Sequence, residues 1–172
     1  MAETLVHRGP DDGSVHVDAR SAVAIGARRL SIIDVEGGRQ PLSNEDETVW
    51  AALNGEIYNY RQLRDDLLNR GHRLATRCDT EVLVHLYEDF GPDLVHALEG
   101  MFAFVIWDSR SQEILLARDR FGEKPLFYAT TDGELSFASE LSALRAIDDR
   151  GAIDPLAMQG LLTLGYLSLI HI

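Results

Sequence analysis

The pair Asp132–Gly133 stands between two short alternating runs, Leu126–Thr130 and Glu134–Ala138, and constrains the fold more than any other feature of the chain. A two-residue connection between strands needs residues that tolerate positive φ, and Asp-Gly supplies them in the sense that matches strand twist. The two runs must then pair antiparallel. Similar runs at Ser14–Val17, Ala22–Ile33, Thr48–Leu53, Met101–Trp107 and Glu113–Arg118 are bounded by Gly, Asp, Asn or Ser and read as further strands. Ser109–Gln112 closes a second hairpin between two of them.

Two stretches between the strands carry helical rather than alternating spacing. Tyr60–Arg70 presents Leu63, Leu67 and Leu68 on one side and stops at Gly71, a C-terminal cap. Asp79–Phe90 sets Val82, Leu83, Leu86, Tyr87 and Phe90 in one stripe, with Asp79 and Glu81 in the first turn, where the helix dipole favours carboxylates. Strands, then two helices, then strands predict an α+β domain with helices packed on antiparallel sheets. The domain is expected over residues 1–146. The polar stretch Ile147–Gly151 then reads as a linker, and the apolar segment Ile153–Tyr166 as the start of a second domain. The last six residues, Leu167–Ile172, match the conceptual translation of a sequencing-library adapter and are set aside as a non-native tail.

Composition narrows the partners. The 172 residues are 45% hydrophobic, enough for one core, and carry 28 acidic against 16 basic side chains, a net charge of −12. With no basic cluster, a nucleic-acid partner is not expected. No apolar run approaches the ~20 residues that span a bilayer, so no membrane partner is expected either. The single cysteine, Cys78, excludes an internal disulfide framework and a cysteine-rich zinc site, and a cytoplasmic location is the expectation. The six histidines lack metal-ligand spacing, so no metal is expected in the chain, and no phosphate-binding glycine loop is present.

Special chemistry concentrates in His7–Asp12, Arg28–Asp34, Asn54–Asn59 and Cys78–Glu81. Each segment has an ordinary reading: a proline turn, a snorkelling arginine, an Asn-Gly hairpin turn, surface carboxylates. Together they supply what a free amino acid requires. A guanidinium suits an α-carboxylate, two carboxylates suit an α-ammonium, and the Asn54 amide with the Gly55 N–H suits a developing oxyanion, Gly55 also letting substrate approach the backbone. Cys78 precedes a helix, which can activate a thiol, but it reads as a small buried cysteine rather than a nucleophile.

The segments His7-Arg8-Gly9-Pro10-Asp11-Asp12, Arg29-Leu30-Ser31-Ile32-Ile33-Asp34, Gln40-Pro41-Leu42, Asn54-Gly55-Glu56-Ile57-Tyr58-Asn59, Asp79-Thr80-Glu81, Gly100-Met101-Phe102-Ala103-Phe104 and Arg118-Asp119-Arg120-Phe121-Gly122 occur in the order seen in class II glutamine amidotransferases of the asparagine synthetase type. The resemblance runs from Met1 to Tyr166. It implies an N-terminal-nucleophile hydrolase fold, an αββα sandwich of two antiparallel sheets between helical layers, here incomplete at the N-terminus. It also implies hydrolysis of glutamine to glutamate and ammonia, with a C-terminal domain using ATP and Mg2+ to amidate aspartate to asparagine.

Carried over by position, glutamine would be held by Arg29, Leu30, Ser31, Ile32, Ile33, Asn54, Gly55, Glu56 and Asp79. Arg29 would take its carboxylate, Glu56 and Asp79 its ammonium, and Asn54 with Gly55 would form the oxyanion hole. The family's nucleophile is an N-terminal cysteine, well before the Arg-Gly-Pro-Asp motif. Here Met1 lies six residues before His7, so Met1 reads as internal, and a chain without that cysteine is expected to be inactive by itself. Two alternatives stay open: a glutaminase feeding ammonia to another acceptor, and a glutamine-binding module without catalysis. A homodimeric parent is also left open.

Overall fold

The structure, a computed structural model, describes residues 1–29, 38–147 and 155–165. Eight strands and four α-helices are present among them: β1 (Asp12–Asp18), β2 (Val23–Arg29), β3 (Leu42–Ser43), β4 (Val49–Ile57), α1 (Tyr60–Asn69), α2 (Asp79–Phe90), β5 (Gly100–Asp108), β6 (Glu113–Arg118), β7 (Phe127–Thr131), β8 (Glu134–Ala138), α3 (Leu141–Arg145) and α4 (Pro155–Leu164). Short 3-10 turns occupy Ala2–Leu5 and Gly91–Ala97.

All strand pairing between these elements is antiparallel. β3-β4-β5-β6 form one sheet, and β1-β2 and β7-β8 form separate hairpins. The Asp132–Gly133 turn has φ of 54° and 84°, the left-handed pair that a two-residue hairpin demands.

Strand β5 explains the layering. Phe102, Phe104 and Ile106 join the core beneath α1 and α2, whereas the intervening Val105 and Trp107 join a second core with Ile25 of β2 and Phe137 of β8. Side chains alternate across a strand, so a strand that is apolar at every position must be covered on both faces. The order of layers is therefore α1 and α2, the four-stranded sheet, the two hairpins, and then α3, whose Ala143 and Leu144 pack with Ala138 of β8 and Leu5. This agrees with the implied sandwich, with the second sheet layer present as two hairpins.

Helix α1 ends in a Schellman cap. The Gly71 N–H donates to the Leu68 carbonyl at 3.1 Å and the His72 N–H to the Leu67 carbonyl at 3.0 Å, with Gly71 at φ 98°. α2 begins and ends where its apolar stripe predicts. Strand β1 departs from its apparent amphipathy: Val15 and Val17 face outward, while Ser14 and His16 turn inward and the His16 ring stacks on Trp50 at 3.7 Å. The two-residue β3 and five-residue α3 were not expected from the sequence, being too short to show a period. Within the apolar segment after the linker, α4 buries none of its residues. Residues 148–154, spanning most of the expected linker and the start of the apolar segment, and 166–172, including the tail, lie outside the described residues.

Candidate active site

The parity of β4 builds the site. Val49, Ala51, Leu53 and Ile57 enter the helix-side core, and Trp50 and Ala52 enter the hairpin-side core, so Asn54 and Glu56 continue on the hairpin side. On β2, Val23 and Ile25 belong to the same interlayer core, and Arg29 shares their parity. These strands and the N-terminus of α2 bound a cavity of about 780 Å3, within the range of small-molecule pockets. Arg29, Asn54, Gly55, Glu56 and Asp79 all line it. The fold thus gathers around one cavity five residues spread over fifty positions of sequence. Residues 30–33, expected to complete the glutamine contacts, lie outside the described residues.

Asn54 is not part of a hairpin turn; it sits in mid-strand opposite Ala103 of β5. Its side-chain Nδ2 is buried and has no hydrogen-bond partner in the structure. A buried amide donor left unpaired costs about 1–3 kcal/mol, so its retention on a cavity wall points to an acceptor arriving with a ligand.

Gly55 has a different reason for being glycine from the one first expected. Its φ is 145°, and an added Cβ would stand 2.1 Å from the Met101 carbonyl oxygen of β5. The neighbouring strand, not an approaching substrate, excludes a side chain at this position.

The two carboxylates are not ordinary surface groups. Asp79 is 6% exposed, and its Oδ2 accepts the backbone N–H of Ile57 at 3.1 Å. Burial raises its pKa, hydrogen bonds from Ile57 and from the first turn of α2 oppose the rise, and the negative charge of Glu56 adds to it. A pair of carboxylates in this state gains from a cation placed between them. Glu81, by contrast, is structural: its carboxylate accepts the Ala75 and Thr76 N–H groups at 2.6 and 2.8 Å and fixes the segment that enters α2.

Cys78 is 3% exposed, and burial pushes its thiol above the usual range. A thiol held protonated is a poor nucleophile, in keeping with its reading from sequence.

Two further residues to which the sequence alone assigns no role join the site. Gln40 accepts the Leu53 N–H on Oε1 at 2.8 Å and donates from Nε2 to Thr80 Oγ1 at 2.9 Å, tying the residue before Asn54 to the residue after Asp79. Only its place in the Gln40-Pro41-Leu42 motif marked it. Arg28 also lines the cavity, with a buried Nε that has no partner in the structure. At the segment before β1, Pro10 bridges to Arg29 and the Asp11 N–H donates to the Arg29 carbonyl at 3.2 Å, so the Arg-Gly-Pro-Asp motif props the end of β2.

Comparison with known proteins identifies the family. A family profile described as a glutamine amidotransferase domain matches residues 1–170. The chain is 48% identical over 160 residues to glutamine-hydrolyzing asparagine synthetase 1 of Bacillus subtilis (strain 168), covering 92% of this chain and 25% of that protein. It is 43% identical over 147 residues to a probable glutamine-hydrolyzing asparagine synthetase of Dictyostelium discoideum, covering 84% of this chain and 26% of that protein. The chain thus spans about a quarter of the length of these relatives. Among solved structures, glutamine phosphoribosylpyrophosphate amidotransferase from B. subtilis, complexed with ADP and GMP, superposes with a TM-score of 0.61 at 30% identity, over 72% of this chain and 29% of that one. No helix among the described residues is long and apolar enough to cross a membrane. In sequence and in fold, the chain belongs to the glutamine amidotransferase domain family.

Proposed function

We propose that the protein carrying this chain is a glutamine-dependent asparagine synthetase, in which the present domain binds glutamine and releases its amide nitrogen as ammonia. The observation that carries the reading is the buried, unpartnered Nδ2 of Asn54 on the wall of the cavity that Arg29, Glu56 and Asp79 share. Arg29 pairs with the glutamine carboxylate, and its charge makes that hydrogen bonding stronger than a neutral contact. Glu56 and Asp79 take the ammonium, relieving their mutual repulsion. Asn54 Nδ2 and the Gly55 N–H receive the oxygen of the tetrahedral intermediate as its charge develops. The nucleophile is a cysteine thiolate at an N-terminus, by resemblance to the family; the one cysteine of this sequence, Cys78, is not given that role.

Ammonia is delivered to a partner domain where ATP and Mg2+ activate aspartate for amidation. The higher identity to asparagine synthetases than to the phosphoribosylpyrophosphate enzyme supports aspartate as acceptor over a sugar phosphate. Glutamine- and ammonia-dependent asparagine synthesis by the full-length protein tests the reading. Arg29→Ala is expected to raise KM for glutamine strongly and leave the ammonia-dependent rate standing. Equal loss of both activities would make Arg29 a folding residue. Amidation of an acceptor other than aspartate would overturn the synthetase assignment while leaving the glutaminase intact.

A further inference from the structure

Away from the cavity, three side chains that are far apart by ligand-motif standards meet at the junction of α1 and α2. His72 follows the α1 cap, and His85 and Glu88 lie one turn apart on α2. His72 Nδ1 stands 3.2 Å from His85 Nδ1, His85 Nδ1 stands 3.2 Å from Glu88 Oε2, and His72 Nδ1 stands 3.6 Å from the same oxygen. We propose that His72, His85 and Glu88 bind a divalent transition-metal ion of the zinc class at this junction.

The triangle has the size that such an ion imposes. Tetrahedral ligands at metal–ligand distances of about 2.0–2.1 Å lie about 3.3–3.4 Å from one another, and octahedral neighbours at the same bond length lie closer, at about 2.9 Å. Edges of 3.2, 3.2 and 3.6 Å match the tetrahedral case. The half-exposed Glu45 carboxylate comes within 3.9 Å of His85 Nδ1, beside the triangle; a water would complete the coordination.

Two further contacts hold His72 and Glu88 in place. Asp89 Oδ1 lies 3.0 Å from His72 Nε2. An ionised carboxylate can only accept, so that nitrogen donates to it, and in the neutral ring this leaves the Nδ1 lone pair for a metal. The arrangement is the carboxylate–histidine relay that orients metal ligands elsewhere. Asp89 is held in turn by Arg70 at 3.2 Å. Asn44 Nδ2 donates to Glu88 Oε1 at 2.8 Å, which leaves Oε2 for the histidines, and Asn44 is itself fixed by the Thr48 and Val49 N–H groups on its Oδ1.

Without a metal, His85 Nδ1 is the shared corner of the triangle, within 3.2 Å of both His72 Nδ1 and Glu88 Oε2. A divalent ion meets all three donor atoms at once, and any proton held among them goes to solvent on binding. The two histidines come from different elements, 13 residues apart, which is why no sequence spacing announced them. None of the three ligands lines the glutamine cavity. Glu88 lies about 13 Å along α2 from Asp79, so the ion would clamp the far end of the helix and take no part in the reaction.

The test uses the purified protein, stripped with EDTA and titrated with Zn2+ by calorimetry and with Co2+ by visible absorption. Expected are one equivalent bound, tetrahedral Co2+ bands without thiolate charge transfer, and a melting temperature that rises with free Zn2+. His72→Asn and Glu88→Gln should each weaken binding at least about 10-fold, and His96→Ala, on an exposed position elsewhere, should not. Absence of stoichiometric binding, octahedral Co2+ bands, a thiolate band implicating Cys78, or unchanged affinity in both folded variants would overturn the proposal. If either variant fails to fold, the Co2+ spectrum of the unaltered protein decides.

Discussion

The Oδ2 of Asp79, first residue of α2, accepts the backbone N–H of Ile57, last residue of β4, at 3.1 Å. This bond joins the helix start to the strand that carries Asn54 and Glu56, and it places a buried negative charge beside another. Because burial raises the Asp79 pKa, the folded state holds a proton across a window that starts at the ordinary aspartate value and ends at the raised one. Stability contributed by that proton is present below the window and is lost as pH rises through it. Asp79→Asn keeps an acceptor for Ile57 and removes the charge. The ligand-free variant is expected to melt higher than wild type at neutral pH, by about 2–4 °C for each kcal/mol recovered, and to show a flatter pH dependence. Its KM for glutamine should rise sharply. Thermal melts from pH 4 to 8 check the first part; a neutral-pH melt below wild type would count against it.

Asn54→Ala is expected to lower kcat for glutamine hydrolysis by about 10²–10³ in the full-length enzyme and to leave KM nearly unchanged. The amide is assigned to charge that exists only in the intermediate, so ground-state binding should not register its loss. Glu56→Gln should act the other way, because the substrate ammonium is charged throughout. Steady-state kinetics of the two variants separate these roles.

Gly55→Ala should fail for a reason unrelated to chemistry. A Cβ 2.1 Å from the Met101 carbonyl, at φ 145°, must push β4 and β5 apart. A loss of about 3 kcal/mol or more is expected, read by denaturant unfolding. A soluble variant of wild-type stability with altered kinetics would return Gly55 to the substrate-access role that its sequence context suggested.

Cys78→Ala should leave both kinetic constants within about twofold, with at most a modest loss of stability. The native thiol, buried and protonated, should react with iodoacetamide far more slowly than in denaturant. Rapid alkylation that abolished glutaminase activity would make Cys78 a participant in the reaction.

Much of this was legible in the sequence where an element was long enough to show a period or short enough to need a special residue. The α2 stripe and the Asp132–Gly133 turn are of that kind. The cavity residues could be named from their motif, yet nothing local showed that Asn54 and Arg29 share a side, since that depends on which parity of each strand the layers bury. β1 shows how parity misleads: its valines face outward because Trp50 offers a flat partner to His16 across the layer. The bridging amide of Gln40 and the meeting of His72 with His85 are products of tertiary packing alone. No spacing rule reaches across a helix cap into the next helix.

Strand β5 feeds one side chain to the helix-side core and the next to the hairpin-side core, so neither core can open without disturbing the backbone that serves both. The consequence lies in how the domain breathes. Amide protons along β5 should be among the slowest in the chain to exchange with deuterium, all at one rate set by global opening, whereas those of β1 and β7 should exchange through smaller, independent openings. The two cores would then open together, with β5 as their shared hinge pin, while the outer hairpin strands fray on their own.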